Sequence, residues 1–373
     1  MRHSVITIVG ILVLSLVLGA CASQTASEPA QPADAAAEAQ EPAAAVEEPA
    51  VVEEQVSGPL TVLCGPQEDW CQAMTAAFQD QTGIETSYVR LSSGEAVARM
   101  EAEADAPTFD VWWGGPSDGQ VEAFTKGLIE PYIPANAALI PENLKDEASG
   151  WTGIYVGALG FCSNQDVLDE LGVEAPTSWD DLLNPKLQGN IAIADSRTSG
   201  TAYTSLYTLV LLRGEDGAFD YLKQLDSNIF QYTKSGSAPG TMAASGEVAV
   251  AIIFSHDCVK FREETGANLV VSFPAEGTGY EIGAEALIKN APNPAAAKVW
   301  MDWALTPEAQ AVAATVKSYQ VPTNPETIVP AEAISLSQVN LVDYDSIAAG
   351  EAKSALIERY AEEVREGAAA PES

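Results

Sequence analysis

The stretch LTVLCGPQEDWCQAMTAAFQDQTGIETSYVRLSSGEAVARM, Leu60 to Met100, sets the fold class. Leu60–Leu63 is a short apolar strand that Gly65-Pro66 breaks, and an amphipathic helix is expected from about Asp69 to Thr82. Glu85–Leu91 reads as the next strand. Ser92-Ser93-Gly94 opens a helix to about Ala104, and Phe109–Trp113 is a third strand that ends at Gly114-Gly115-Pro116. Strands and helices alternating at this length predict an α/β body with a largely parallel sheet.

The alternation resumes further on. Tyr155–Ser163 (YVGALGFCS) is an apolar strand, Ser178–Leu183 begins a short helix, and Gly189–Asp195 is a strand. Thr198-Ser199-Gly200-Thr201 opens a long apolar helix to about Leu212. Glu247–Phe254 is a buried strand with Ser255-His256-Asp257 at its carboxyl end. From Asn268 to Lys289 the chain returns as strand, Gly-rich loop and strand. Helices are expected at 294–304, 307–316 and 350–364. Residues 58–373 exceed one ordinary domain and predict two lobes.

The first 57 residues are of another kind. Arg2 and the apolar run Val5–Leu18 lead to Leu18-Gly19-Ala20-Cys21, small residues directly before a cysteine. That is a signal-peptide layout over residues 1–20, and it resembles the lipobox of bacterial lipoproteins, in which Cys21 becomes the lipidated first residue. The apolar run is shorter than the ~20 residues of a spanning helix. Residues 22–57 hold eight carboxylates, no Lys or Arg and no aromatic ring. Such a segment cannot offset its ordering entropy, so residues 21–57 are expected to be a disordered acidic tether.

The formal charge of −35 opposes nucleic-acid binding, which needs a basic footprint. Beyond Cys21 there are four cysteines: Cys64, Cys71, Cys162 and Cys258. An exported chain permits disulfides, and three pairings are possible. Cys64 with Cys71 and Cys162 with Cys258 is the pairing favoured. A zinc site is not expected, because the C-x₆-C spacing lacks a partner pair and His256 is the one histidine after the leader.

Candidate binding residues sit where open α/β sheets bind ligands, beyond the carboxyl ends of strands. Ser92-Ser93-Gly94 and Thr198-Ser199-Gly200-Thr201 place hydroxyls at helix N-termini, whose free N–H groups favour anions. Plain capping is the competing explanation for each. Trp112 and Trp113 alternate across a strand, so one is core and Trp113 is the candidate to cover part of a ligand. Ser255-His256-Asp257 is no catalytic triad, since consecutive side chains diverge. His256 and Asp257 are instead expected to face a cleft as hydrogen-bonding groups.

Several segments together resemble a family. They are Trp179–Asp195 (WDDLLNPKLQGNIAIAD), Thr198–Tyr203, Gly246–Val250, Gly127–Tyr132 (GLIEPY) and Val321–Pro325 (VPTNP). The series resembles type 2 periplasmic solute-binding proteins of ABC transporters, in the group labelled ferric-iron-binding that also holds hexose-phosphate and phosphonate binders. The resemblance implies two α/β lobes joined by crossings near Tyr155–Phe161 and Val270–Pro274, with the ligand between them. Residues 58–155 would form the first part of lobe 1, 156–271 lobe 2, and 272–373 the return to lobe 1 with C-terminal helices.

The same resemblance bears on the ligand. Ferric-iron binders of the group carry two adjacent tyrosines where this chain has Phe254-Ser255-His256-Asp257-Cys258, which puts iron in doubt. Sugar-phosphate binders carry a His-Asp pair there and a glutamate in the following Gly-rich return, matching Glu281. The expectation is a monomeric receptor that does no chemistry and needs no cofactor. It binds a small anion-bearing molecule, delivers it to an ABC permease and ATPase, and is held at the membrane through Cys21. Iron binding, an exported hydrolase and a sensor subunit are the alternatives.

Overall fold

The computed structural model describes residue 56 and residues 58–371. The expected leader, the lipidated Cys21 and, apart from Val56, the tether lie outside the described residues. No helix among the described residues is long and apolar enough to cross a membrane.

The strands are β1 (Leu60–Cys64), β2 (Thr86–Arg90), β3 (Val111–Pro116), β4 (Ile129–Glu130), β5 (Thr152–Asn164), β6 (Ile191–Ala194), β7 (Ile229–Thr233), β8 (Val250–Phe254), β9 (Leu269–Ser272), β10 (Tyr280–Ile288) and β11 (Val321–Pro322). The helices are α1 (Glu68–Thr82), α2 (Ser93–Ala102), α3 (Ser117–Thr125), α4 (Gln165–Leu171), α5 (Gly200–Asp226), α6 (Ala238–Ala244), α7 (Ser255–Thr265), α8 (Pro294–Ala304), α9 (Pro307–Thr315) and α10 (Ser346–Glu363).

The main strand order is β2-β1-β3-β10-β5-β8-β6-β7. Each flank is parallel: β1 pairs with β2 and β3, and β6 with β7 and β8. The middle is antiparallel, and β5 carries it. Its first half pairs with β10, Tyr280 opposite Ala158, and its second half pairs with β8, Phe254 opposite Leu159. One thirteen-residue strand, buried throughout, therefore passes from one half of the fold to the other at Ala158–Leu159. That is the first expected crossing. The chain returns between β9, which pairs with residues 161–164, and β10. The return is thus the turn 273–279, a few residues beyond the expected Val270–Pro274.

Each half has its own cores. Leu60, Val62, Phe78, Trp113 and Trp300 fill one face of the first half, and Leu63, Met100, Trp112 and Ile288 the other. Phe161, Trp179, Ile191, Tyr203 and Phe219 fill one face of the second. Burial of this apolar surface at ~25 cal/mol per Å² is what holds each half together. Both disulfides form as favoured, Cys64–Cys71 and Cys162–Cys258.

The helix expected to end near Leu212 is interrupted at Gly214, whose φ of 71° and ψ of 164° are not helical, and a second helical stretch runs from there to Asp226. One expectation changes. The C-terminal helix α10 does not stay with the first half. Leu356, Tyr360 and Val364 pack in the second-half core, and Tyr203 Oη donates to Ala349 O. From the same stripe of the helix the buried Lys353 Nζ meets Asp118 Oδ1 of α3 at 2.8 Å. The buried face of α10 thus carries partners from both halves and straps them.

Candidate ligand-binding cleft

The carboxyl ends of β1, β2, β3, β6, β7 and β8 converge on one cleft. The turn after β1 supplies Gly65, Pro66 and Gln67. The end of β2 supplies Arg90, Ser92 and Ser93, and β3 supplies Gly115 and Pro116. The opposite wall is Ser199, Gly200 and Thr201 after β6, Gly236 and Ser237 after β7, and Phe254, His256 and Asp257 after β8. Tyr155 and Glu281 of the crossing strands form the floor, with Gln320 beside them.

Eight of the residues expected from sequence meet here: Ser92, Ser93, Ser199, Gly200, Thr201, His256, Asp257 and Glu281. Three do not. Trp113 is 2% exposed and packs edge-on against Trp70 and Trp300, because its face of β3 is covered by α1 and α8. Trp112 is core on the other face, so neither ring reaches the cleft. Thr198 spends its hydroxyl on Asp195 O and Lys234 O. Gly94 contributes contact rather than lining: its N–H donates to Thr198 O across the two halves at 3.0 Å.

The backbones of the two walls come together at glycines. A Cβ on Gly94 would stand 2.2 Å from Arg197 O, and one on Gly200 would stand 2.7 Å from Ser93 Oγ. These glycines let the backbones approach. Further links cross the cleft: Gln67 Nε2 donates to Asp257 Oδ1 at 2.6 Å, and Lys260 Nζ pairs with Asp69. Lys234 pairs with Glu95 at 2.6 Å.

Sequence reasoning missed Arg90, Tyr155 and the Gly65–Gln67 turn. Arg90 is the one Arg or Lys lining the cleft among the described residues. Its Nε donates to Pro66 O at 3.1 Å, Nη1 to Ser92 Oγ at 3.3 Å and Nη2 to Ser235 Oγ at 3.0 Å, so it joins both walls. Burial pulls its guanidinium below the ordinary value, against the pull of Glu95 and Asp257. The available signal was a lone cation at the carboxyl end of a strand in a strongly acidic chain.

His256 and Asp257 lie in the first turn of α7, where neither caps; the N-cap is Phe254. His256 Nε2 stands 3.5 Å from Glu281 Oε1 and 3.8 Å from Asp257 Oδ1. Its ring fits because residue 157 is glycine; a Cβ there would meet Nδ1 at 2.4 Å. Burial lowers the imidazole below its usual range, more than Asp257 raises it, which leaves it neutral at pH 7. Burial raises the Glu281 carboxyl well above the usual range, and Asp257 and Asp118 add to the effect. A carboxyl raised in this way favours its protonated form, which donates as well as accepts. Burial likewise raises the Tyr155 phenol, whose oxygen accepts from Gly115 N–H at 2.9 Å. No cluster of three metal-ligating side chains occurs among the described residues.

Residues 120–349 match the family model described as bacterial extracellular solute-binding protein. The chain belongs to that family. An uncharacterized protein of Haemophilus influenzae is 40% identical over 316 residues, 83% of this chain and 91% of its own. A probable ABC transporter periplasmic-binding protein of Sinorhizobium fredii, y4fP, is 25% identical, covering 78% of this chain and 82% of its own. Among solved structures, the periplasmic binding protein AfuA of Actinobacillus pleuropneumoniae, with exogenous fructose-6-phosphate bound, superposes with a TM-score of 0.80. It is 39% identical and covers 83% of this chain and 99% of its own. The solute-binding protein described here thus has the two-lobed fold, works outside the cytoplasm, and serves a small-molecule ligand and an ABC transporter. Proteins of this family bind rather than transform their ligands.

Proposed function

We propose that this chain is the receptor of an ABC importer for a sugar phosphate, bound between residues of both lobes. The observation that carries the reading is the pairing of two chemistries in one cleft. Arg90 and the N-termini of α2 and α5 are complementary to a phosphate dianion. Neutral His256, Glu281 and Asp257 line the same cleft and supply donors and acceptors for sugar hydroxyls. The AfuA structure, which holds fructose 6-phosphate, supports the assignment. Ferric iron fits poorly. The cleft offers one tyrosine, Tyr155, whose oxygen already accepts from Gly115 N–H, and no cluster of three metal-ligating side chains occurs among the described residues.

We place lobe 1 at residues 58–155 with its return from residue 272, and lobe 2 at 156–271, with α10 strapping both. The receptor acts as a monomer, anchored through lipidated Cys21 with residues 22–57 as its tether. Calorimetric titration of the wild type with fructose 6-phosphate, glucose 6-phosphate, the free hexoses and ferric citrate tests the reading. Binding of a hexose phosphate that His256→Ala or Asp257→Ala abolishes supports it. Binding of ferric citrate alone refutes it.

A further inference from the structure

Both disulfides lie directly behind the ligand cleft, one in each wall. Cys64–Cys71 closes a short ring around Gly65-Pro66-Gln67, the turn that lines the cleft. Pro66 presents its carbonyl to Arg90, and Gln67 presents its amide to Asp257. Asp257 is in turn the residue before Cys258, which is bonded to Cys162 on β5. The hydrogen bond from Gln67 Nε2 to Asp257 Oδ1 therefore crosses the cleft with a disulfide fixing each of its ends. All four sulfurs belong to buried residues, at most 1% exposed.

The two rings are unequal. Cys162–Cys258 closes 96 residues of separation, whereas Cys64–Cys71 closes only 7. A short ring removes less freedom from the unfolded chain than the long one, so it contributes less to global stability. It is a strong device for local shape, because Gly65 packs against Gly114 closely enough that a Cβ would meet Gly114 O at 2.6 Å. Its N–H donates to Trp113 O at 2.9 Å, which seats the turn on β3.

We propose that the two disulfides position the ligand site, holding Gln67 and Asp257 in register so that closure forms their contact without further ordering. The proposal rests on the ligand reading above for the identity of the cleft. Its test uses the full chain and two double variants, Cys64→Ser/Cys71→Ser and Cys162→Ser/Cys258→Ser, each alone and with Gln67→Ala. Fructose 6-phosphate is the probe, measured well below the melting temperature. The expected result is a roughly tenfold or greater loss of affinity in each disulfide variant, and no further loss when Gln67→Ala is added. Lower melting temperature with unchanged affinity overturns the proposal, as does a Gln67→Ala effect that adds in full.

Hydrogen exchange of the unliganded proteins separates a failure of the brace from a failure of the ligand assignment. Faster exchange confined to the amides of Gly65 and Gln67 in the Cys64/Cys71 variant supports the brace even if no hexose phosphate binds the wild type. Unchanged exchange there overturns it.

Discussion

Gly94→Ala should strengthen the unliganded fold and weaken ligand binding. Gly94 lies in the first turn of α2, where alanine is favoured over glycine by up to about 1 kcal/mol. In the closed arrangement its Cβ would stand 2.2 Å from Arg197 O and 3.0 Å from Thr198 Cα, whereas ordinary contact begins at 3.4 Å. The opposing backbone must withdraw by about 1 Å. That breaks the 3.0 Å bond from Gly94 N to Thr198 O and stretches the 3.0 Å bond from Arg90 to Ser235. A neutral hydrogen bond is worth about 1 kcal/mol and a charged one about 1.5–3, so the closed state loses roughly 2–3 kcal/mol, or about 30- to 150-fold in affinity. Denaturant melts without ligand, together with calorimetric titration of fructose 6-phosphate, read the two effects separately. Affinity within threefold of wild type would refute the wedge. Stability falling together with affinity would show that Gly94 serves the core rather than closure.

Other consequences follow from the same contacts. Arg90→Met should cost hexose-phosphate affinity about 1.5–3 kcal/mol, while weak binding of a free hexose changes little; titration of both ligands checks it. Glu285 is fully buried with both carboxyl oxygens unpartnered, and burial raises it well above the ordinary range. Its native state therefore holds a proton that the unfolded state gives up, so stability is full below the unfolded value near pH 4.3 and falls as pH rises through the folded value. Glu285→Gln should flatten that decline in urea melts run from pH 4 upward. Lys353→Met should cost about 3–5 kcal/mol of unfolding free energy, because it strands the buried Asp118 carboxylate. Loss of Cys162–Cys258 should cost about 4.7 kcal/mol and loss of Cys64–Cys71 about 2.5, from ring entropy alone; an inverted order would refute that account.

The α/β class was legible because β1, α1, β2, α2 and β3 each carry a local signal: a short apolar run, a breaker, or hydroxyls before an amphipathic stretch. Strand β7 and helix α6 were not read. Ile229–Thr233 is only partly buried, so its apolar period is weak, and Ser235-Gly236-Ser237 behind it passed unnoticed. His256, Asp257 and Glu281 were legible as polar groups at strand ends or in a glycine-rich return. Arg90 and Tyr155 were not, since their roles depend on which strands lie side by side. Alternation separated Trp112 from Trp113 correctly, but it could not show that helices cover both faces of β3. The tertiary sheet decides that, and it leaves both rings in cores.

A cleft made for a hexose phosphate should bind one in preference to ferric iron. Thermal unfolding with and without fructose 6-phosphate at 100 times its dissociation constant tests it most directly. Mass action gives about 2.7 kcal/mol of stabilisation there, a rise of roughly 4 °C for a body of this size. The wild type should show that rise and Asp257→Ala should lose it. A chain that ferric citrate stabilises, and that hexose phosphates leave unmoved at millimolar concentration, would contradict it.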